Sequence, residues 1–319
     1  MDLRNSDETR NLREQSAGVR SRIGNLILRR IGDLEELNTD IDGLALVKRD
    51  HPIPPTPYLY EPSLAMIMQG SKHVVLGDSS FSYDESHFLL TAMNLPTITR
   101  VVEATPERPY LSIVLKLDLV AAKEIMADLD LDGLSNEDEG TAMAIGPAVP
   151  ELFDAVERLL GLLDRPKEIG IMSGLIQREL LFRLLTSPTG GRLRQIVRIG
   201  TEGNRVAKAI TWLRENYASP LKVAALADHC SMGVSTLHHH FRVLTAMSPL
   251  QFQKSLRLHE ARRMLVCDNV DAGTAALEVG YESVTQFNRE YRRMFGAPPI
   301  RDARSVRAST PATATAMHF

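Results

Sequence analysis

The feature that most constrains this chain is a pattern that occurs twice near its C-terminal end, fifty residues apart. The first copy runs from Leu226 to Arg242. Leu237 and Phe241 are four apart, so on a helix they share one inward face, and Leu226-Ala227 sit on a shorter helix before them. Cys230-Ser-Met-Gly233 supplies a tight turn, after which Gly233 or Ser235 can open the second helix. The outward face then shows Ser235, Thr236, His238, His239 and Arg242. An apolar seam on one side and a row of hydrogen-bonding side chains on the other is what a DNA major groove admits. In the second copy Ala276-Leu277 fall under Leu226-Ala227, Phe287 under Leu237, Tyr291 under Phe241 and Arg292 under Arg242. Gly280-Tyr281-Glu282 makes the turn, and Thr285, Gln286, Asn288 and Arg289 face outward. Gly273-Thr274-Ala275 leave the first helix of this unit weak.

One longer helix, roughly Pro249 to Cys267, separates the copies. Its period puts Leu250, Leu256, Ala261, Met264 and Leu265 inside and Lys254, Arg257, Arg262 and Arg263 outside. Two helix-turn-helix units on a stiff spacer can present two recognition helices to one side of a duplex, with half-sites about 10 base pairs apart. Gln286 and Asn288 have the geometry to pair with adenine, and Arg289 with guanine. Ser235, Thr236, His238, His239 and Thr285 complete the expected base contacts. Arg242 and Arg292 lie late in their helices, where a helix leaves the groove, and are expected on phosphates.

These residues resemble those of the AraC/XylS transcription regulators. The match is carried by Leu226-Ala227, Ser235, Leu237-His238, Phe241-Arg242, Met247-Ser248-Pro249, Arg257-Leu258 and Glu260-Ala261-Arg262. It continues through Val279-Gly280-Tyr281, Gln286-Phe287, Arg289, Tyr291-Arg292-Arg293 and Phe295-Gly296-Ala297-Pro298-Pro299. His238-His239-His240 departs from it, since a basic residue is commoner in the middle of that run. The resemblance implies promoter DNA as partner, RNA polymerase as a further partner if the protein activates, and a second copy of the chain.

The rest of the chain is of a different character. Between Gly203 and Arg307 there are 15 Lys and Arg against 9 Asp and Glu, whereas the remainder carries 22 against 31. A basic C-terminal half joined to an acidic N-terminal half fits one domain that approaches DNA and one that avoids it. Residues 1–18 are polar and are expected to be disordered. Val19 to Leu37 has a helical period, and His51 to Pro57 is an extended, proline-fixed connector. Short strands follow at close spacing: 44–48, 64–68, 73–76, 81–83, 88–91, 97–102 and 110–117. Their number and spacing predict a small antiparallel barrel or sandwich. Glu61-Pro-Ser-Leu64, Gln69-Gly-Ser-Lys72, Leu76-Gly-Asp78, Tyr83, Val101-Val-Glu-Ala104 and Pro109-Tyr-Leu111 resemble the cupin-like sensor domain of one AraC subgroup, which implies a small-molecule effector.

Helices are expected over 118–130, 150–163, 169–186 and 204–217, with a loop over 131–148. The apolar stripe of the third, through Ile171, Leu175, Ile176, Leu180, Leu181 and Leu184, either pairs with its twin or packs on its own barrel. The expected organisation is therefore α+β in two domains: a cupin-like sensor and dimerisation domain over 19–186, a linker over 187–202, a double helix-turn-helix domain over 203–305 and a disordered tail over 306–319. Alternation on the strands nominates Met66, Met68, Phe88, Leu90, Ile113 and Leu115 as an apolar effector pocket; the same residues serve equally as core.

Other functions are weakly supported. His73 and His87 stand alone without the paired histidines of a cupin metal site, and consecutive helical residues such as His238–His240 diverge by about 100°, so no metal or other cofactor is expected. No catalytic constellation supports an enzyme. Cys230 and Cys267 read as small buried residues in a reducing compartment. With no apolar run of about 20 residues and no signal core, a cytoplasmic protein with no membrane partner is expected. The alternative function is a constitutive DNA-binding regulator in which the barrel serves only dimerisation.

Overall fold

The computed structural model describes residues 14–129, 140–198 and 202–309. Helix α1 (Ala17–Ile31) comes first, and its Ile23, Ile27 and Ile31 are buried at helical spacing. Burial of each such side chain stabilises by about 1.5–3 kcal/mol. The helix ends at Gly32, six residues short of the sequence expectation, because the chain turns there with φ 54°. The later leucines of that period, Leu34 and Leu37, lead into and lie within β1 (Glu36–Asn38).

Nine further strands follow: β2 (Leu44–Arg49), β3 (Thr56–Tyr60), β4 (Ser63–Gln69), β5 (Ser71–Leu76), β6 (Ser79–Asp84), β7 (His87–Thr91), β8 (Leu95–Glu103), β9 (Tyr110–Lys116) and β10 (Met143–Pro147). They form two antiparallel sheets, one ordered β1-β2-β9-β4-β7-β10 and the other β3-β8-β5-β6. The fold is thus the expected antiparallel one, but it is not a closed barrel: each sheet keeps its own edges. The last two residues of the connector, Thr56 and Pro57, open β3, an edge strand, where Pro57 removes no ladder bond that the sheet needs. Strand β10 lies within the expected loop and pairs with β7 from Met143↔Thr91 to Pro147↔His87. The first part of that loop lies outside the described residues.

Helix α1 packs on β2, β4 and β9, and also on α3 (Pro150–Gly161). Helix α2 (Leu119–Asp128) starts at Asp118, whose carboxylate accepts from the Val120 and Ala121 amides. Both α2 and α3 pack on α4 (Pro166–Thr186). The stripe on α4 is divided. Ile176, Leu180, Leu181 and Leu184 are buried in the protein's own core, while Ile171 and Leu175 are exposed, together with Phe182. Residues 187–198, expected as linker, form a turn and a short helix, α5 (Gly191–Val197), that buries Leu193 and Ile196.

The C-terminal half is helical: α6 (Glu202–Glu215), α7 (Val223–His229), α8 (Val234–Thr245), α9 (Pro249–Val266), α10 (Ala272–Glu278), α11 (Val284–Phe295) and α12 (Pro299–Ser309). The expected tail therefore begins inside α12. The duplication is real, but its register changes once. Leu237 and Phe241 match Phe287 and Tyr291 at fifty residues, all fully buried. In the preceding helices, however, the buried pairs are Leu226-Ala227 and Ala275-Ala276, while Leu277 is 64% exposed. The turn from Val279 to Ser283 holds five residues where its counterpart, Cys230 to Gly233, holds four, which shifts α10 by one. Helix α10 forms despite its weak residues because Asp271 caps it, accepting from the Gly273 and Thr274 amides and the Thr274 hydroxyl.

Candidate nucleic-acid interface and sensor cavity

Ser235, Thr236, His238, His239 and Arg242 are exposed on α8, and Thr285, Gln286, Asn288, Arg289 and Arg292 on α11. The inward residues of both helices are buried, so the period of the sequence fixes the outward face. Among the described residues, two of the ten already have polar side-chain partners. Gln286 Nε2 donates to Glu290 Oε1 at 3.2 Å, and Arg242 lies 3.7 Å from Asp78 Oδ2. Glu290 itself is buried and accepts from Lys254 at 3.0 Å and from the Tyr281 hydroxyl at 2.9 Å. These donors hold its carboxyl below the usual range against the opposing effect of burial.

Two of the arginines expected outside on α9 have structural duties. Arg257 donates to the Tyr217 and Gly280 carbonyls at 2.7 and 2.8 Å, which clips the turn of the second unit to the segment after α6. Gly280 makes this approach possible: at φ 87°, an added Cβ would lie 2.0 Å from the Ala218 carbonyl oxygen. Arg262 is buried and forms a two-pronged pair with Asp302 at 2.9 and 3.2 Å, and the Tyr291 hydroxyl donates to the same carboxylate at 2.8 Å. The Arg262 guanidinium also lies 4.9 Å from the centre of the Phe295 ring. Helices α9, α11 and α12 are thereby tied at one buried point. Helical period alone could not separate these arginines from solvent-facing ones, because the surfaces that cover them are distant in sequence.

The N-terminal half meets the first unit closely. The Ala142 amide donates to the Leu244 carbonyl at 2.8 Å, near the end of α8. The β5–β6 turn rests against Ala246: an added Cβ on Gly77 would lie 2.3 Å from the Ala246 carbonyl oxygen. Asp78, which pairs with Arg242, is the next residue in that turn.

A cavity of about 680 Å³ lies between the two sheets. Its walls include Ser63, Ala65, Tyr110, Ser112 and Val114 from the larger sheet and Tyr58, Tyr60, Lys72, Tyr83 and Thr99 from the smaller. One side is closed by the C-terminal half, through His259, Arg262, Phe295 and Asp302. None of the six nominated pocket residues lines it. Met66, Met68, Phe88, Leu90, Ile113 and Leu115 are all buried in core. On β9 the alternation is clear: Tyr110, Ser112 and Val114 face the cavity, so Ile113 and Leu115 point to the opposite face, on the side where α1 packs. The nomination followed the more apolar face, which is core.

His259 in the cavity wall is buried, and among the described residues its Nε2 has no hydrogen-bond partner. Burial, and then the neighbouring Arg262 charge, push its imidazole down to about 3, so it is neutral near pH 7.

Comparison with known proteins agrees with this architecture. The AraC-type transcriptional regulator N-terminus matches residues 40–192, and a helix-turn-helix domain family matches residues 226–305. The chain belongs to the AraC family of transcription regulators. It is 28% identical over 170 residues to the HTH-type transcriptional activator RhaS of Pectobacterium atrosepticum, covering 52% of this chain and 58% of that one. It is 27% identical over 151 residues to the virulence regulon transcriptional activator VirF of Yersinia enterocolitica, covering 47% and 55%. The chain thus spans little more than half the length of these relatives. Among solved structures, apo ToxT from Vibrio cholerae superposes with a TM-score of 0.57 at 9% identity, covering 84% of this chain and 99% of that one. ToxT bound to (E)-4-(8-methylnaphthalen-1-yl)but-3-enoic acid superposes with a TM-score of 0.55 at 11% identity, covering 81% and 98%. At such identity the likeness is one of fold. No helix among the described residues is long and apolar enough to cross a membrane.

Proposed function

We propose that this AraC-family protein is a cytoplasmic, sequence-specific regulator that binds promoter DNA through α8 and α11 and senses a small molecule in the cavity between its sheets. Its helix-turn-helix match and the exposed rows on both recognition helices support the DNA reading. The observation that carries the sensing reading is that the cavity has two owners. Its walls come from both sheets and from α9, α11 and α12, so a bound molecule touches the half that reads DNA. The volume falls within the range of ordinary small-molecule sites, and the ligand-bound ToxT relative is consistent with such a use of this fold.

Assembly as a homodimer is proposed through the exposed face of α4, with Ile171, Leu175 and Phe182 at its centre. RNA polymerase is a further proposed partner if the protein activates. A randomised-site selection with the full chain, followed by footprinting, tests the DNA reading. The expected motif has two half-sites about 10 base pairs apart. Failure to enrich any motif would overturn it.

A further inference from the structure

We infer that the cavity takes an organic anion, a carboxylate or phenolate on an apolar body, with its charged end held at Lys72. The inference rests on the sensing reading above and gives it a ligand class.

The charges around the cavity are nearly all matched within the protein. Arg49 lies 3.6 Å from Glu35 and 3.9 Å from Glu36. Glu61 and Lys116 are 2.6 Å apart, and Arg262 is paired with Asp302. Asp42 is exposed. Lys72 is the exception. Among the described residues, no carboxylate pairs with its ammonium and no acceptor receives a hydrogen bond from it. Its neighbours are the faces of Tyr58 and Tyr60, with Nζ 5.6 and 5.4 Å from the ring centres. Part of the side chain borders the cavity and the residue is half-buried, so burial lowers its basicity.

A half-buried cation without a counter-ion is disfavoured relative to a paired one. Two aromatic faces offset only part of that. The geometry therefore leaves a place for negative charge that the protein does not fill.

A second, independent observation points to the same end of the cavity. Tyr60 and Tyr83 are 1% and 3% exposed, and their hydroxyls lie against each other with no other hydrogen-bond partner among the described residues. The two lie close enough to influence each other's ionisation, and burial raises both well above the usual range. Both therefore remain O–H donors at neutral pH. An ammonium without an acceptor, beside two phenol hydroxyls that meet only each other, gathers N–H and O–H donors at one end of the cavity, which favours a carboxylate or phenolate oxygen there. The remaining wall, with Ala65, Val101, Val114 and Phe295, is apolar and suits the body of such a ligand.

Two matched probe pairs test this with the full chain by titration calorimetry: decanoate against decan-1-ol, and naphthalene-1-acetate against its amide. The anion of at least one pair is expected to bind at least about tenfold more tightly than its neutral partner. Lys72→Met should abolish that preference while leaving binding of the neutral probe intact, and Lys72→Arg should restore part of it. If Lys72→Met does not fold, Tyr83→Phe serves instead and should weaken the anion severalfold but not the neutral probe. Ala65→Trp fills the cavity and should remove binding of every probe. Equal binding of anion and neutral partner, lost in Ala65→Trp, would overturn the anion assignment and leave the sensing cavity standing. Binding of no probe, or binding that survives Ala65→Trp, would overturn both.

Discussion

The two helix-turn-helix units began from one pattern and now stand in different relations to the rest of the molecule. The interior of the first, with Leu226, Leu237, Phe241 and Leu244, is continuous with the core of the N-terminal half. Its recognition helix also ends against that half, at Ala142, Gly77 and Asp78. The second unit has a separate core built on Tyr281, Phe287 and Tyr291. It meets the N-terminal half mainly across the cavity, through His259, Phe295 and Asp302. A duplicated motif has therefore been given two attachments, one direct and rigid, the other by way of a space that a ligand can fill. Occupancy of the cavity is accordingly expected to act first on the second unit.

The strongest way to separate the units is Asp302→Ala. It leaves Arg262 buried without its partner, a change that costs about 3–5 kcal/mol. Denaturant unfolding should show the loss, and footprinting should show the second half-site unprotected while the first persists. Loss of both half-sites together would mean that the units do not act separately.

At the DNA surface, Arg289→Ala should weaken the selected site by about 1–3 kcal/mol and relax preference at one or two base pairs. Arg242→Ala should instead weaken all sequences alike and make the salt dependence shallower by about one unit of slope. Fluorescence anisotropy at several salt concentrations distinguishes these patterns. An unchanged motif with Arg289→Ala would make α11 a backbone clamp.

Acid should also act on the second unit first. Unfolded, His259 takes up a proton near its ordinary 6.5; folded, it resists until about 3. Across that window the unfolded state binds more protons, so stability from this group is complete above about 6.5 and is lost as pH falls. Between pH 6.5 and 5 the loss reaches at most about 2 kcal/mol. Urea midpoints at pH 7.5 and 5.0 should therefore differ less in His259→Leu than in the wild type. Equal shifts would show that the histidine is solvated in solution.

The exposed faces of α8 and α11 were legible in sequence because a helix with buried Leu237 and Phe241 must expose what lies between them. Long helices with end signals, such as Pro150 and Asp118, were legible for the same local reason. What escaped depended on contacts between distant segments. Nothing near Thr56 announces that β3 is an edge that tolerates Pro57, and nothing near Arg262 announces Asp302. Alternation along β9 separates its two faces but does not say which one meets a cavity. Here the face with Tyr110, Ser112 and Val114 does, while the more apolar one with Ile113 and Leu115 is core.

The contact between Gly77 and Ala246 bears on how such regulators can be recombined. Ala246 ends α8 in a left-handed conformation, φ 56°, where its counterpart Gly296 ends α11 at φ 79°. Each residue in this contact limits what the other can be, across 169 positions of chain. A chimera joined only between positions 187 and 202 would bring a new sensor hairpin onto the old helix end. Any side chain at position 77 would then meet the Ala246 carbonyl, so the functional junction for domain grafting includes the hairpin at 77–78 as well as the covalent link.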